Sequence, residues 1–162
     1  MTGVRLEVAD GPAMWRLGRA LARLLRAGDL VVLSGPLGAG KTTLAQGLGE
    51  GLGVRGPVTS PTFVIARVHP PLSAGPPLVH VDAYRVGDAL EVDDLDLDAS
   101  LPESVTVVEW GEGKVEGLSP DRLDVLIERP DADAEPSPRL VRIRGTGSRW
   151  DGVDLSDLVR LA

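Results

Sequence analysis

The sequence contains no cysteine. That excludes a disulfide scaffold, a thiolate metal site and a cysteine nucleophile, and it fits a reducing compartment. Aromatic residues make up 3% of the chain, so a core has to be assembled from Leu, Val and Ala. No apolar run reaches the length of a membrane-spanning helix, and the N-terminal stretch lacks a signal-peptide core. The expectation is a cytoplasmic protein without a membrane partner. Lysine is nearly absent: of 17 basic residues only Lys41 and Lys114 are lysines, and the rest are arginines. The net charge of −7 argues against extended binding to a nucleic-acid backbone by this chain alone. His69 and His80 lie in or beside predicted strands with no second ligand at metal spacing, and read as structural.

What the sequence does hold is Gly35-Pro36-Leu37-Gly38-Ala39-Gly40-Lys41-Thr42-Thr43. The stretch fits G-x-x-x-x-G-K-[ST], the phosphate-binding P-loop, and a predicted strand (29–34) and a helical pattern (43–50) flank it as that motif requires. Glycines let successive backbone N–H groups point at phosphate oxygens. The helix start adds its own N–H groups and its dipole. Lys41 supplies a compact charge to the β/γ-phosphates, and the Thr42 hydroxyl is a Mg²⁺ ligand. A chain that otherwise prefers arginine keeps one of its two lysines where a point charge is needed.

With 162 residues the chain is long enough for one domain with its own core. A first strand is predicted over 4–8. Asp10 or Gly11 caps a helix that Pro12 opens and Gly28 ends, with Met14, Leu17, Leu21, Leu24 and Leu25 on one face. Arg16, Arg19, Arg23 and Arg26 fall on the opposite face, which is either solvated or a docking surface for an acidic partner. Further strands are predicted over 64–68, 78–82 and 105–109, with a Pro-rich hairpin connection over 70–77. Residues 122–129 and 139–144 read as an antiparallel hairpin, and 154–161 as a short terminal helix. The acidic stretch 88–98 is no EF-hand, because Ala99 and Val105 stand where that loop needs Gly and Glu.

Two of these strands end in an acid, Asp82 and Glu109. In open α/β sheets ligands bind at the carboxyl ends of the strands. With both strands beside the P-loop strand, one carboxylate would hold Mg²⁺ and the other would share the metal or polarise the attacking water. The bland alternative is that each acid caps the next turn. Phe63 and Tyr84 read as plugs at strand ends; Trp110 walls either the nucleotide pocket or a partner surface. No guanine-reading N-K-x-D element is present, which favours adenine.

Four motifs occur in order: Gly38-Ala39-Gly40-Lys41-Thr42-Thr43, Ser60-Pro61-Thr62-Phe63, His80-Val81-Asp82-Ala83-Tyr84-Arg85 and Val108-Glu109-Trp110. Together they resemble the bacterial TsaE (YjeE) family, small P-loop ATPases needed to make threonylcarbamoyladenosine at position 37 of tRNA. The resemblance covers residues 9–110 well and the C-terminal third in outline. It implies a three-layer α/β fold of the P-loop NTPase kind, with a mixed β-sheet and an antiparallel C-terminal hairpin and tail (about 119–162) in a single domain (1–162). It implies ATP and Mg²⁺ as ligands. Pro36, Leu37, Gly38, Ala39, Gly40, Lys41, Thr42 and Thr43 would hold the nucleotide, with Ser60 and Thr62 in a switch-like loop and Trp110 nearby. Thr42, Asp82 and Glu109 would surround the metal, and Lys41 and Glu109 would be catalytic. It further implies that the chain assists a TsaD–TsaB pair and meets tRNA only through that complex. Slow turnover alone is expected because the one arginine inside the motif set, Arg85, reads as a brace of its turn or a partner contact rather than a group at the phosphates. Pro36 and Met14 stand where the family commonly has an acid and a threonine.

Two other classes compete. A small-molecule kinase needs an Arg-rich lid and an acceptor pocket mid-chain, where this sequence is Pro/Gly-rich and then acidic. A nucleotide-dependent interaction module with negligible hydrolysis is compatible with Pro36.

Overall fold

The computed structural model describes residues 2–36, 38–56, 58, 66–82, 97–109, 116–130 and 138–161. The described strands are β1 (Thr2–Val8), β2 (Leu30–Ser34), β3 (Ala66–His69), β4 (Leu78–Asp82), β5 (Val105–Glu109), β6 (Arg122–Glu128) and β7 (Arg139–Thr146). The described α-helices are α1 (Gly11–Ala22), α2 (Lys41–Leu52), α3 (Leu97–Ser100) and α4 (Asp157–Leu161). All seven strands join one mixed sheet in the order β1-β7-β6-β2-β5-β4-β3. The inner strands β6, β2, β5 and β4 are parallel; β7 and β3 flank them antiparallel, and β1 pairs antiparallel with β7. β2 and β5 are buried on both faces, and β2 reads as an unbroken apolar run up to Ser34, as central parallel strands do, while Thr106 interrupts the run in β5 and Glu109 ends it.

The P-loop strand β2 therefore lies between β5 and β6. The expectation that both acid-ending strands flank it holds for β5; β4 is one strand further out. The place beside β2 is taken by the first strand of the C-terminal hairpin, whose apolar alternation (Leu123, Val125, Ile127) completes the same core face.

That face is covered by α1, α2 and α4. The opposite face has a smaller cluster of Leu30, Val32, Val79, Val81, Leu101 and Val108, with Leu118 packed against it. Asp10 caps α1 by accepting the Ala13 N–H at 2.9 Å. α1 ends at Ala22 rather than at Gly28. Leu24 and Leu25 bond back to Leu21 and Ala22 in tighter i→i−3 turns, and the Asp29 carboxylate takes the Arg26 N–H at 2.8 Å, turning the chain into β2.

Helices α1 and α2 meet backbone to backbone. A Cβ on Gly18 would lie 2.1 Å from the Leu44 carbonyl oxygen, and one on Gly47 would lie 2.0 Å from that of Trp15. Only glycine fits at either position.

The far end of β2 is closed by the C-terminal segment. Buried Asp29 accepts from Arg149 at both oxygens (Nε 2.9 Å, Nη2 3.0 Å), and the same guanidinium donates to the Leu24 carbonyl at 2.7 Å. Trp150 is buried over Gly145, whose missing side chain makes the room.

Candidate functional site

The site begins where β2 ends at Ser34 and the chain turns into α2. Gly35, Gly38 and Gly40 all have positive φ. At Gly35 a Cβ would also lie 2.5 Å from the Ile127 carbonyl oxygen, so the loop presses on β6 and tolerates no side chain there. α2 starts at Lys41 with no side-chain cap, and its first intrahelical bond is Leu44 N–H to Gly40 C=O at 2.9 Å. The N–H groups of the first turn are therefore left to the loop, a ready anion site.

Strand alternation brings the acids to this helix start. On β5, Glu109 follows Val105 and Val107 on the face that α2 covers; on β4, His80 and Asp82 follow Leu78 on the same face. The register sets Asp82 directly opposite Glu109. Lys41 is buried, and its Nζ donates to the carbonyls of Gly35 (2.8 Å) and Pro36 (2.9 Å). Burial pushes its ammonium below the usual lysine range, against an upward pull first from Glu109 and then from Asp82. Glu109 and Asp82 thus both act on Lys41 electrostatically although 68 positions of sequence separate Lys41 from Glu109.

Two residues enter the site beyond the sequence reading. His80, read as structural, is fully buried, and its Nε2 lies 2.5 Å from Glu109 Oε2. Its Nδ1 is buried without a hydrogen-bond partner among the described residues, so the tautomer that strands no proton carries it on Nε2, which donates to Glu109. The period of two from Asp82 already places His80 on the acid's face, and that signal was available in the sequence. Arg139, at the start of β7, donates to the carbonyls of Ala39 (Nε, 3.0 Å) and Gly38 (Nη2, 3.2 Å). It braces the P-loop from outside; no local pattern announces a contact spanning 100 positions. Beside this brace is a cavity of about 240 Å³, lined by Asp10, Gly11, Met14, Gly40, Thr43 and Arg139.

Pro36, Gly38, Ala39, Gly40, Lys41, Thr42 and Thr43 thus share one end of the sheet with Asp82 and Glu109. Leu37, Ser60, Thr62 and Trp110 lie outside the described residues, as do Phe63 and Tyr84. Among the described residues no three His, Asp or Glu side chains form a metal cage. The oxygen donors Thr42, Asp82 and Glu109 suit Mg²⁺, which is held by one or two carboxylates together with phosphate oxygens rather than by a closed cage.

Residues 8–137 match the family model described as threonylcarbamoyl adenosine biosynthesis protein TsaE. A protein named tRNA threonylcarbamoyladenosine biosynthesis protein TsaE from Streptomyces coelicolor is 66% identical over 146 residues, 90% of this chain and 99% of that one. The protein of the same name from Bacillus subtilis is 38% identical over 138 residues, 82% of each chain. The crystal structure of Bacillus subtilis YdiB superposes with a TM-score of 0.73 at 28% identity, over 98% of this chain and 95% of that one.

Proposed function

The chain belongs to the TsaE family, and on that premise we propose that it is a Mg²⁺-dependent ATPase of tRNA threonylcarbamoyladenosine biosynthesis, its ATP cycle coupled to a TsaD–TsaB pair. One observation carries the reading: Lys41 sits under a glycine loop at an uncapped helix start, within the electrostatic reach of Glu109 and Asp82. The loop N–H groups and Lys41 bind and orient the phosphates. Mg²⁺, when bound, would supply charge neutralisation at the phosphates. Thr42 and Asp82 would hold the ion, and Glu109, steadied through Oε2 by His80, would use its second oxygen to orient the attacking water. The cavity between α1 and the P-loop accommodates the nucleoside end. That all seven strands form one sheet supports reading residues 1–162 as one domain. No described helix is long and apolar enough to cross a membrane, and we place the activity in the cytoplasm.

Lys41 donates to two loop carbonyls, and Glu109 pairs with His80. This favours slow turnover by the isolated chain. It is also what an interaction module with negligible hydrolysis would display.

The test is phosphate release by purified variants. Lys41→Ala is expected to lose about 10²–10³ in rate, the usual cost of one preorganised donor. Asp82→Asn and Glu109→Gln are expected to impair Mg²⁺-dependent turnover with the fold intact. Wild-type rates and Mg²⁺ titrations in all three variants would reject the ATPase assignment.

A further inference from the structure

The stretch between Asp10 and Asp29 contains no acid and four arginines, Arg16, Arg19, Arg23 and Arg26, in a chain of net charge −7. All four are exposed. None of them enters an ion pair among the described residues, whereas Arg122, Arg142, Arg149 and Arg160 each have a carboxylate partner. Arg16, Arg19 and Arg23 recur at i, i+3 and i+7, which aligns them along about 10 Å of α1.

Trp15 is on the same flank, one turn before Arg19, whose guanidinium lies 5.7 Å from the indole centroid. Trp15 and Leu72, the latter 68% exposed, line a cavity of about 470 Å³ between α1, α2 and the segment after β3. The recess is mixed in character, with Gln46 and Glu50 beside Trp15, Val54, Val58 and Leu72, and Arg19 stands at its Trp15 edge. A Trp-containing recess next to exposed arginines has the composition of a protein-binding surface.

We infer that this flank of α1 is a docking surface for a partner protein that presents an acidic patch around an apolar side chain. Charge complementarity selects the acidic patch, and the Trp15–Leu72 recess selects a protein over RNA. A phosphate backbone would use the arginines and leave the recess unfilled. The Trp15 face is covered by Arg19 and does not offer a base a free stacking platform, while the rest of the chain repels a polyanion. The helix also ties the surface to the ATP site. Gly18 and Gly47 lock α1 to α2, and Met14 lies 3.3 Å from the position a Gly40 Cβ would occupy. A partner seated on the arginines touches the P-loop through one rigid element.

The inference rests on the partner reading above when the TsaD–TsaB pair of the same organism is the probe. The experiment titrates that pair with the wild type, with Arg16→Glu/Arg19→Glu/Arg23→Glu and with Arg16→Lys/Arg19→Lys/Arg23→Lys, at low and near-physiological salt. Mg²⁺-ATP affinity of each isolated protein is measured in parallel. The expected result is a loss of at least about 100-fold in affinity for the Glu variant, near-wild-type binding by the Lys variant and unchanged ATP affinity in both. A Glu variant that binds the pair like the wild type overturns the inference and leaves the function standing. A wild type that binds ATP but not the pair overturns the partner reading with it. Binding of free tRNA that the Glu variant loses, with pair binding intact, would assign the arginines to RNA and overturn it as well.

Discussion

Lys41 meets opposing demands in the folded chain. Burial disfavours its charge, and the two strand-end acids restore part of what burial takes. His69 meets the first demand at the end of β3. Burial holds its imidazole below the usual histidine range, against a smaller upward pull from a hydrogen bond with the Arg55 backbone and with smaller downward contributions from His80 and Arg67. The unfolded chain takes up this proton near the ordinary value of 6.5 and the folded chain only at lower pH. Stability is therefore lost as pH falls from about 6.5 toward the folded value, by no more than about 1.4 kcal/mol per pH unit for one proton. Denaturant midpoints at pH 7.5 and 5.5 check this: His69→Leu is expected to shift less between them than the wild type, and identical shifts would contradict it. Legibility at this scale follows locality. Lys41, Thr42, Asp82 and Glu109 are readable because a loop motif and two strand ends announce them within a few positions. Arg139 is not, because its contact with Gly38 and Ala39 exists only once β7 has joined the sheet.

At the scale of elements, the strands are readable from apolar runs and period-two alternation, with no end off by more than two residues. Their neighbours are not. Nothing in the pattern of β6 says that it will take the place beside β2, since an alternating strand is compatible with an edge hairpin or an interior position. The end of α1 is likewise hidden, because it is set by Asp29 and by Arg149, a residue 120 positions away. That pair ties the C-terminal segment to the root of the P-loop strand. Removing one partner of a buried pair strands the other, at a cost of roughly 3–5 kcal/mol. Arg149→Ala is expected to lower stability by that order, and Asp29→Asn/Arg149→Leu by less than the single change. Chemical denaturation of both variants measures it; a single variant within about 0.5 kcal/mol of the wild type would show that the pair contributes only as a surface bridge.

On the scale of the whole molecule, one end of the sheet gathers the groups for phosphate and metal, and one helix carries both a P-loop contact and an unpaired basic surface. Lys41 donates to the Gly35 carbonyl, and Glu109 pairs with His80. Fast P-loop enzymes add an arginine to the transition-state charge, a contribution worth about 10³–10⁵ in rate. Among the described residues Arg139 reaches the loop, and it donates to the loop carbonyls instead. The account therefore makes turnover a property of the assembly, with the isolated chain binding ATP and hydrolysing it slowly. Its most direct test is steady-state phosphate release with Mg²⁺ and ATP, first by the protein alone and then with TsaD and TsaB from the same organism. The account predicts a low rate alone and a clear change when both partners are present, abolished by Lys41→Ala. A rapid ATPase indifferent to both partners would contradict it.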